Sequence, residues 1–471
     1  MINSNNKIVI CIIKVEIYIN SYFKDRGKRM NNARKIAVDV LIQVFKNKAY
    51  SNIVLGIELN KSKLSDVDKG LTTEIVYGTI KYKYTIDKII ESFTQKNFKK
   101  LDDFVLNILR ISVYQIKYLD KIPDFAVVNE AVNLTKKNAS VGASKLVNGV
   151  LRNYLRNLDK EYCKDEKLEK MSFEYSFPKW MINHFITQYG DENTVKILSG
   201  LNERPALTVR VNELKSNYEA VFERLKDNGY EIQDGFVAPE AIRIVNGRSI
   251  EVNEVFKNGY VTVQDESAML VAPSMELKDN DVVLDLCSAP GGKTTHISEI
   301  LNNTGKVLAF DIHENKLSLI MDNAKRLGVE NIKCDVLDAT EYKEELKELA
   351  DAVLIDVPCS GLGIIRKKPE IKYSKTKKEL ISINKIQKEI MKNASKYVKK
   401  DGIILYSTCT LNKDENESNI NWFLKNNPDF KLEPLFFGNA ENLVYDKSGC
   451  VTILPNQYMD GFFIAKIRRI G

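Results

Sequence analysis

Asp285-Leu286-Cys287-Ser288-Ala289-Pro290-Gly291-Gly292-Lys293-Thr294 closes an apolar run of strand length at 282–286. A strand that passes through paired glycines into a helical stretch opens a ligand-binding α/β unit, because backbone without Cβ atoms can approach a bound group closely. Downstream the pattern repeats. Apolar runs at 306–311, 332–335, 352–356 and 402–407 read as strands, and helical stretches at 294–301, 313–327 and 342–349 separate the first four. Such alternation predicts a parallel, Rossmann-like α/β sheet covered on both faces, with its ligands beyond the carboxyl ends of the strands.

Upstream the texture differs. Ala33, Ile36, Ala37, Val40, Leu41, Val44 and Phe45 keep the rhythm of a helix with one buried face. The rhythm returns at 104–119, at 125–134 after Pro123-Asp124, and in Leu146, Val147, Val150, Leu151, Tyr154, Leu155 and Leu158. Residues 30–160 therefore read as an all-helical domain, followed by a charged connector near 159–170. Residues 171–260, with short alternating runs at 206–211 and 241–245 around a helical 218–228, read as a small α+β module. Residues 261–471 are the α/β domain. The stretch 8–19 is apolar but too short to span a membrane, and Lys14 and Glu16 interrupt it. Met30 directly precedes the first amphipathic helix, so residues 1–29 are expected to be a dispensable extension.

Seven cysteines (11, 163, 287, 334, 359, 409 and 450), none in a Cys-x-x-Cys, argue against a disulfide framework and for the cytoplasm. Three histidines (184, 296 and 313) make a zinc centre or a histidine-driven triad a poor expectation, and no metal is expected. The net charge is +7, unevenly spread: residues 1–160 hold 28 Lys+Arg against 15 Asp+Glu. A basic helical third suits a polyanionic partner, although a lysine-rich solvated surface would look the same.

The glycine turn fits neither a dinucleotide fingerprint nor a phosphate-cradling loop. Asp311 ends the next strand, 19 residues past Gly292, where a carboxylate can accept from two ribose hydroxyls. A cofactor with ribose but no pyrophosphate, S-adenosylmethionine, fits best; on these residues alone a nicotinamide dinucleotide stays open. Asp338, after the third strand, lies where a polar group reaches an adenine, with Asp335 as competitor and a helix N-cap before Tyr342 as the structural alternative. Cys287 reads as packing or backbone contact.

Two further strands end in Asp356-Val357-Pro358-Cys359 and Ser407-Thr408-Cys409-Thr410. Methylating carbon 5 of a cytosine calls for a thiolate that adds to C6, a hydrogen-bonding acid near N3 and a second group that assists release. Cys409, Asp356 and Cys359 can supply all three from neighbouring loops. Either cysteine alone reads as a small core residue; two at the ligand edge of one sheet are harder to set aside. Residues 366–400 carry 13 Lys/Arg against Glu370, Glu379 and Glu389. Part of this run is a solvated helix face, but Arg366, Lys367 and Lys368, continuing to Lys372, are expected to contact an RNA backbone. The target base must be unstacked to reach the site.

These residues resemble the Sun/Fmu, or RsmB, branch of the RNA cytosine-C5 methyltransferases. The matching segments are 287–294, 356–361, 407–410 and Met459-Asp460-Gly461-Phe462-Phe463-Ile464, with Val263-Gln264-Asp265-Glu266-Ser267 and Tyr175-Ser176-Phe177-Pro178-Lys179-Trp180, where the family often has histidine in place of Phe177. The resemblance covers about 30–471. It implies that Cys409 is the nucleophile, that Cys359 assists release, and that Cys287, Ser288, Ala289, Pro290, Gly291, Gly292, Lys293, Asp311, Asp338 and Asp356 line the S-adenosylmethionine site. It further implies a NusB-like RNA-binding domain at the N-terminus, an RRM-like module at 171–260, and 16S ribosomal RNA as substrate of an enzyme expected to act as a monomer, away from membranes. Residues 1–29 have no counterpart. Transfer RNA or 23S RNA as substrate, and a non-enzymatic RNA-binding factor, remain alternatives. DNA methylation is disfavoured, because the Pro-Cys thiol alone would serve there.

Overall fold

The computed structural model describes residues 32–163 and 166–471, so the expectation for residues 1–29 falls outside it. The chain divides into two compact units, one containing residues up to His184 together with 368–374, the other 185–367 and 375–471.

The first unit is helical. Helices Ala33–Asn47, Ser51–Lys61, Asp66–Lys81, Lys83–Thr94, Asp103–Tyr118, Asp124–Asn138 and Val141–Leu155 enclose one aliphatic core. Local chemistry sets their ends. Asn32 Oδ1 accepts from Arg34 N and Lys35 N, Asp102 caps the helix at Asp103, and Ser140 caps that at Val141, each such cap contributing about 1 kcal/mol. The expected inward face of Val141–Leu155 is present in Val147, Val150, Leu151 and Tyr154, whereas Leu146 and Leu158 lie exposed.

Residues 368–374 belong to this helical unit, not to an exposed basic surface. Glu370 is buried and accepts from Ser51 N at 3.2 Å and Ser51 Oγ at 2.9 Å. Lys372 is buried, its Nζ 3.0 Å from Lys81 O, 3.1 Å from Ser176 O and 3.7 Å from the centre of the Phe177 ring. Lys81 and Tyr175 end helices Asp66–Lys81 and Lys167–Tyr175, so one ammonium caps two helix C-termini. Burial, then the charge of Lys81, pushes its pKa well down. The expectation that the basic run contacts RNA as far as Lys372 is corrected here, because a buried, capped ammonium offers nothing to a phosphate.

The second unit holds two sheets. The smaller contains β1 (Leu207–Val211), β2 (Glu231–Asp234), β3 (Ala241–Asn246) and β4 (Val261–Val263) in the order β2-β3-β1-β4, with helix Tyr218–Asp227. Its last strand lies beyond the expected boundary at 260. The larger sheet contains β5 (Val282–Asp285), β6 (Lys306–Asp311), β7 (Ile332–Val336), β8 (Ala350–Asp356), β9 (Val398–Thr408), β10 (Phe430–Glu433), β11 (Leu443–Tyr445), β12 (Val451–Ile453) and β13 (Phe462–Arg469). Its order is β11-β12-β13-β9-β8-β5-β6-β7, with β10 on β13. β9, β8, β5, β6 and β7 run parallel; β13 joins β9 antiparallel. Cores packed on both faces explain the continuous apolar strands. The helix expected at 342–349 is a single 3-10 turn, Glu344–Leu346. Among the described residues no helix is long and apolar enough to cross a membrane.

Replacing Lys372 with Met keeps the stem but leaves buried carbonyls without their donor. Denaturant unfolding should show a loss of about 2–3 kcal/mol; a stability equal to wild type would contradict the capping role.

Candidate active site

The functional side chains gather where the parallel strands end. Asp285 closes β5, and its Oδ2 accepts from Thr294 Oγ1 at 2.7 Å, tying the strand end to the first turn of helix Gly292–Ile300. Between them the loop folds on β6: Ser288 N and Ser288 Oγ both donate to Phe310 O at 2.8 Å. Gly291 has φ 100°, and a Cβ there would lie 3.1 Å from Ile320 Cα, so only glycine suits the turn. Asp311 accepts from Ala289 N at 3.3 Å and from His313 N at 2.9 Å. Each carboxylate oxygen keeps a further lone pair for a ribose hydroxyl.

Asp338 Oδ1 accepts from Thr340 N at 2.9 Å and from Thr340 Oγ1 at 2.6 Å, so the capping alternative takes the form of a turn. Burial, then the charges of Asp285, Asp356, Asp311 and Asp338, pushes the Cys287 thiol well up. Asp338 is half-buried, whereas Asp335, the competitor, is exposed. A support that the sequence did not reveal is Arg210 on β1. It is fully buried, pairs with Glu299 at 2.7 Å and donates to Gly292 O at 2.9 Å, fixing the start of the loop helix.

At the reactive end, β8 and β9 are parallel neighbours with Asp356 opposite Ser407. Their loops bring Cys359 Sγ and Cys409 Sγ to 3.1 Å. Ser360 Oγ and Thr410 Oγ1, 2.7 Å apart, link the same loops. Beneath them the wholly buried Glu415 accepts from Ser360 N, Gln387 Nε2 and Asn412 Nδ2, each at 2.9 Å. Lys293 Nζ lies 2.7 Å from Asp356 Oδ2, and Ser407 Oγ donates to Asp356 Oδ1 at 2.7 Å. Burial alone would lower the pKa of Lys293; the charge and hydrogen bond of Asp356, then Cys409, more than reverse this and raise it. The hydrogen bond to Cys409, then burial, pushes the Cys359 thiol well up.

The expected RNA cations divide. The side chain of Arg366 is fully buried, 2.6 Å from Asp460 Oδ1, and Lys367 Nζ lies 2.6 Å from both Asp265 and Asp460. The expectation for Arg366 is corrected, since its charge is spent inside the fold; that of Lys367 is largely committed as well. Lys368 is exposed.

A Rossmann-like sheet with a glycine cradle, strand-end acids and two thiols at one edge defines a cofactor-dependent methyltransferase. Comparison with known proteins agrees. The family described as 16S rRNA methyltransferase RsmB/F matches residues 272–468, the NusB family 31–156, and the RsmF/B-like ferredoxin-like domain 177–251. The probable ribosomal RNA small subunit methyltransferase B of Bacillus subtilis is 37% identical over 94% of this chain and all of its own length. Its counterpart in Synechocystis is 34% identical over 93% of this chain and all of its own. Among solved structures, PH0851 superposes with TM-score 0.80 at 27% identity, covering 94% of this chain and all of that one. NSun6 from Pyrococcus horikoshii with SFG has TM-score 0.56 at 25% identity, covering 63% of this chain and 99% of that one. The chain belongs to the RsmB/F family of 16S rRNA methyltransferases. It is built from a NusB-type helical domain, a small ferredoxin-like module and a Rossmann-like methyltransferase domain.

Its methyl donor is S-adenosylmethionine, and the residues present fit that group. Asp311 retains acceptor capacity, and Asp285 Oδ1 is buried beside the turn without a protein partner.

Burial pushes the Asp285 carboxyl up to about 7, against the Thr294 hydrogen bond and with help from Asp356. A raised acid binds its proton in the fold and releases it on unfolding, so its contribution is full below about pH 4 and disappears as pH rises through about 7. The Tm of Asp285→Asn relative to wild type should therefore climb between about pH 5 and pH 8; a pH-independent difference would contradict the assignment.

Proposed function

We propose that this protein forms 5-methylcytosine in 16S ribosomal RNA through a covalent bond between Cys409 and C6 of the target base. The observation that carries this reading is the pair of thiols, 3.1 Å apart and beside the Lys293–Asp356 pair, next to the glycine turn. Cys287, Ser288, Ala289, Pro290, Gly291, Gly292, Lys293, Asp311, Asp338 and Asp356 form the cofactor side of the site, which supplies an electrophilic methyl group when S-adenosylmethionine is bound.

The protein's own residues do the rest. The Cys409 thiolate adds to C6, and the C5=C6 electrons shift toward N3 and O2 of the ring, leaving C5 nucleophilic. Asp356 already accepts from Lys293 and Ser407, so the donor that meets the developing charge is the Lys293 ammonium held by Asp356, rather than Asp356 alone. Once C5 is methylated, its proton passes to a solvent water, the C5–H electrons rebuild the double bond and the Sγ–C6 electrons return to sulfur. Cys359, 3.1 Å from Cys409, is in place to assist release of the departing sulfur. Lys368, exposed beside this loop, and the basic helical domain supply phosphate contacts for an unstacked cytosine. The reaction takes place in the cytoplasm.

With labelled S-adenosylmethionine and separate 16S, 23S and transfer RNA transcripts, label should enter 16S RNA and digest as 5-methylcytidine. Transfer to none of them, with cofactor binding intact, would refute the reading. Cys409→Ala should lower transfer by about 10⁴-fold or more. Cys359→Ala should instead accumulate a protein–RNA adduct that survives a denaturing gel; the opposite pattern would reverse the two roles.

A further inference from the structure

The loop that carries Cys359 ends in two cations that point inward. Arg366 Nε lies 2.6 Å from Asp460 Oδ1, and Arg366 Nη2 lies 3.6 Å from Asp265 Oδ2. Lys367 Nζ reaches Asp265 Oδ2 and Asp460 Oδ2, each at 2.6 Å. Asp460 N donates to Asp265 Oδ1 at 3.1 Å, and Arg366 Nη1 donates to Asn456 O. Both carboxylates are nearly buried, at 10% and 4% exposure for Asp265 and Asp460. The quartet is neutral as a whole and ties together the segment after β4, the end of the Cys359 loop and the segment before β13.

Directly behind it the backbone reaches the other thiol. Gly461 N donates to Gly363 O at 2.9 Å, and Gly363 N donates to Cys409 O at 3.0 Å. A Cβ on Gly363 would stand 2.0 Å from Gly461 O and 2.9 Å from Cys409 O, so these strands of backbone meet as closely as glycine permits. The carbonyl of Cys409 is thus gripped by the loop that bears Cys359, and the far end of that loop is fixed by the quartet. Burying paired charges costs desolvation and is a poor way to gain stability, whereas it fixes geometry well, because each fork and carboxylate accepts one arrangement.

We infer that Asp265, Arg366, Lys367 and Asp460 are positioning residues whose task is to hold Cys359 and Cys409 at their mutual distance. The inference rests on the thiol reading above, and its test has a readout independent of methyl transfer. With diamide as oxidant, the two thiols give up two hydrogens to become a disulfide while diamide becomes its hydrazine. The rate of that closure, followed by peptide mass, reports how well the sulfurs are kept together.

The variants are Asp460→Asn and the gentler Lys367→Gln, at a position one-third exposed, with Lys367→Arg as the conservative control. Asp460→Asn and Lys367→Gln should each slow disulfide closure and lower kcat by about tenfold or more, with KM for RNA changed little, and Lys367→Arg should restore both. Closure at the wild-type rate in both variants would overturn the inference, even if their Tm fell. A raised KM for RNA with unchanged closure in Lys367→Gln would also overturn it, and would make Lys367 the backbone contact first expected. If wild type closes fast and the variants slowly while wild type transfers no methyl group, the positioning stands and the covalent mechanism falls.

Discussion

The pairing of β8 with β9 is the constraint on which the site depends. In this parallel ladder Asp356 stands opposite Ser407, and the hydrogen bond from Ser407 Oγ to Asp356 crosses the same rung. Because the register is fixed, a cysteine three residues past the end of β8 and one directly after the end of β9 emerge side by side. A slip of one residue would turn alternate side chains to the opposite face and separate the sulfurs. Continuous apolar sequence in both strands, packed on both faces, opposes such a slip.

Around this rung the protein places charge where water is scarce and gives nearly every charge a partner. Lys293 sits on Asp356, Arg210 on Glu299 and Gly292 O, and Glu415 under three donors. Each links a ligand-bearing loop to a rigid element. Asp285 is the exception: one oxygen is satisfied by Thr294, the other lacks a protein partner, and its carboxyl rises accordingly. A buried carboxyl oxygen without a protein partner, beside the cofactor turn, is one that a polar ligand group would satisfy.

What the sequence revealed follows from what local pattern encodes. β5, β6, β7, β8 and β9 were visible because buried parallel strands are apolar runs, and both cysteines and the glycine turn stand at their ends. β10, β11 and β12 are not legible in the sequence, being only three or four residues long, too short for a periodic pattern. The cations that the fold takes up are hidden in the sequence for a related reason. Arg366, Lys367 and Lys372 lie in a lysine-rich stretch, and in sequence such a stretch looks like surface; their partners Asp265, Asp460 and Lys81 are about a hundred or more positions away for all but Asp460, which is itself 94 from Arg366. Lys293 was assigned to the cofactor loop by position, and only its distance to Asp356 shows that it also serves the reactive end.

Identifying which sulfur bonds to the base is the most direct test of the account. RNA carrying 5-fluorocytidine at the target allows addition and methylation but blocks loss of the C5 substituent, so the adduct persists. Digestion and peptide mass analysis should place the nucleotide on Cys409. An adduct on Cys359, or none while ordinary RNA is methylated, would contradict the mechanism.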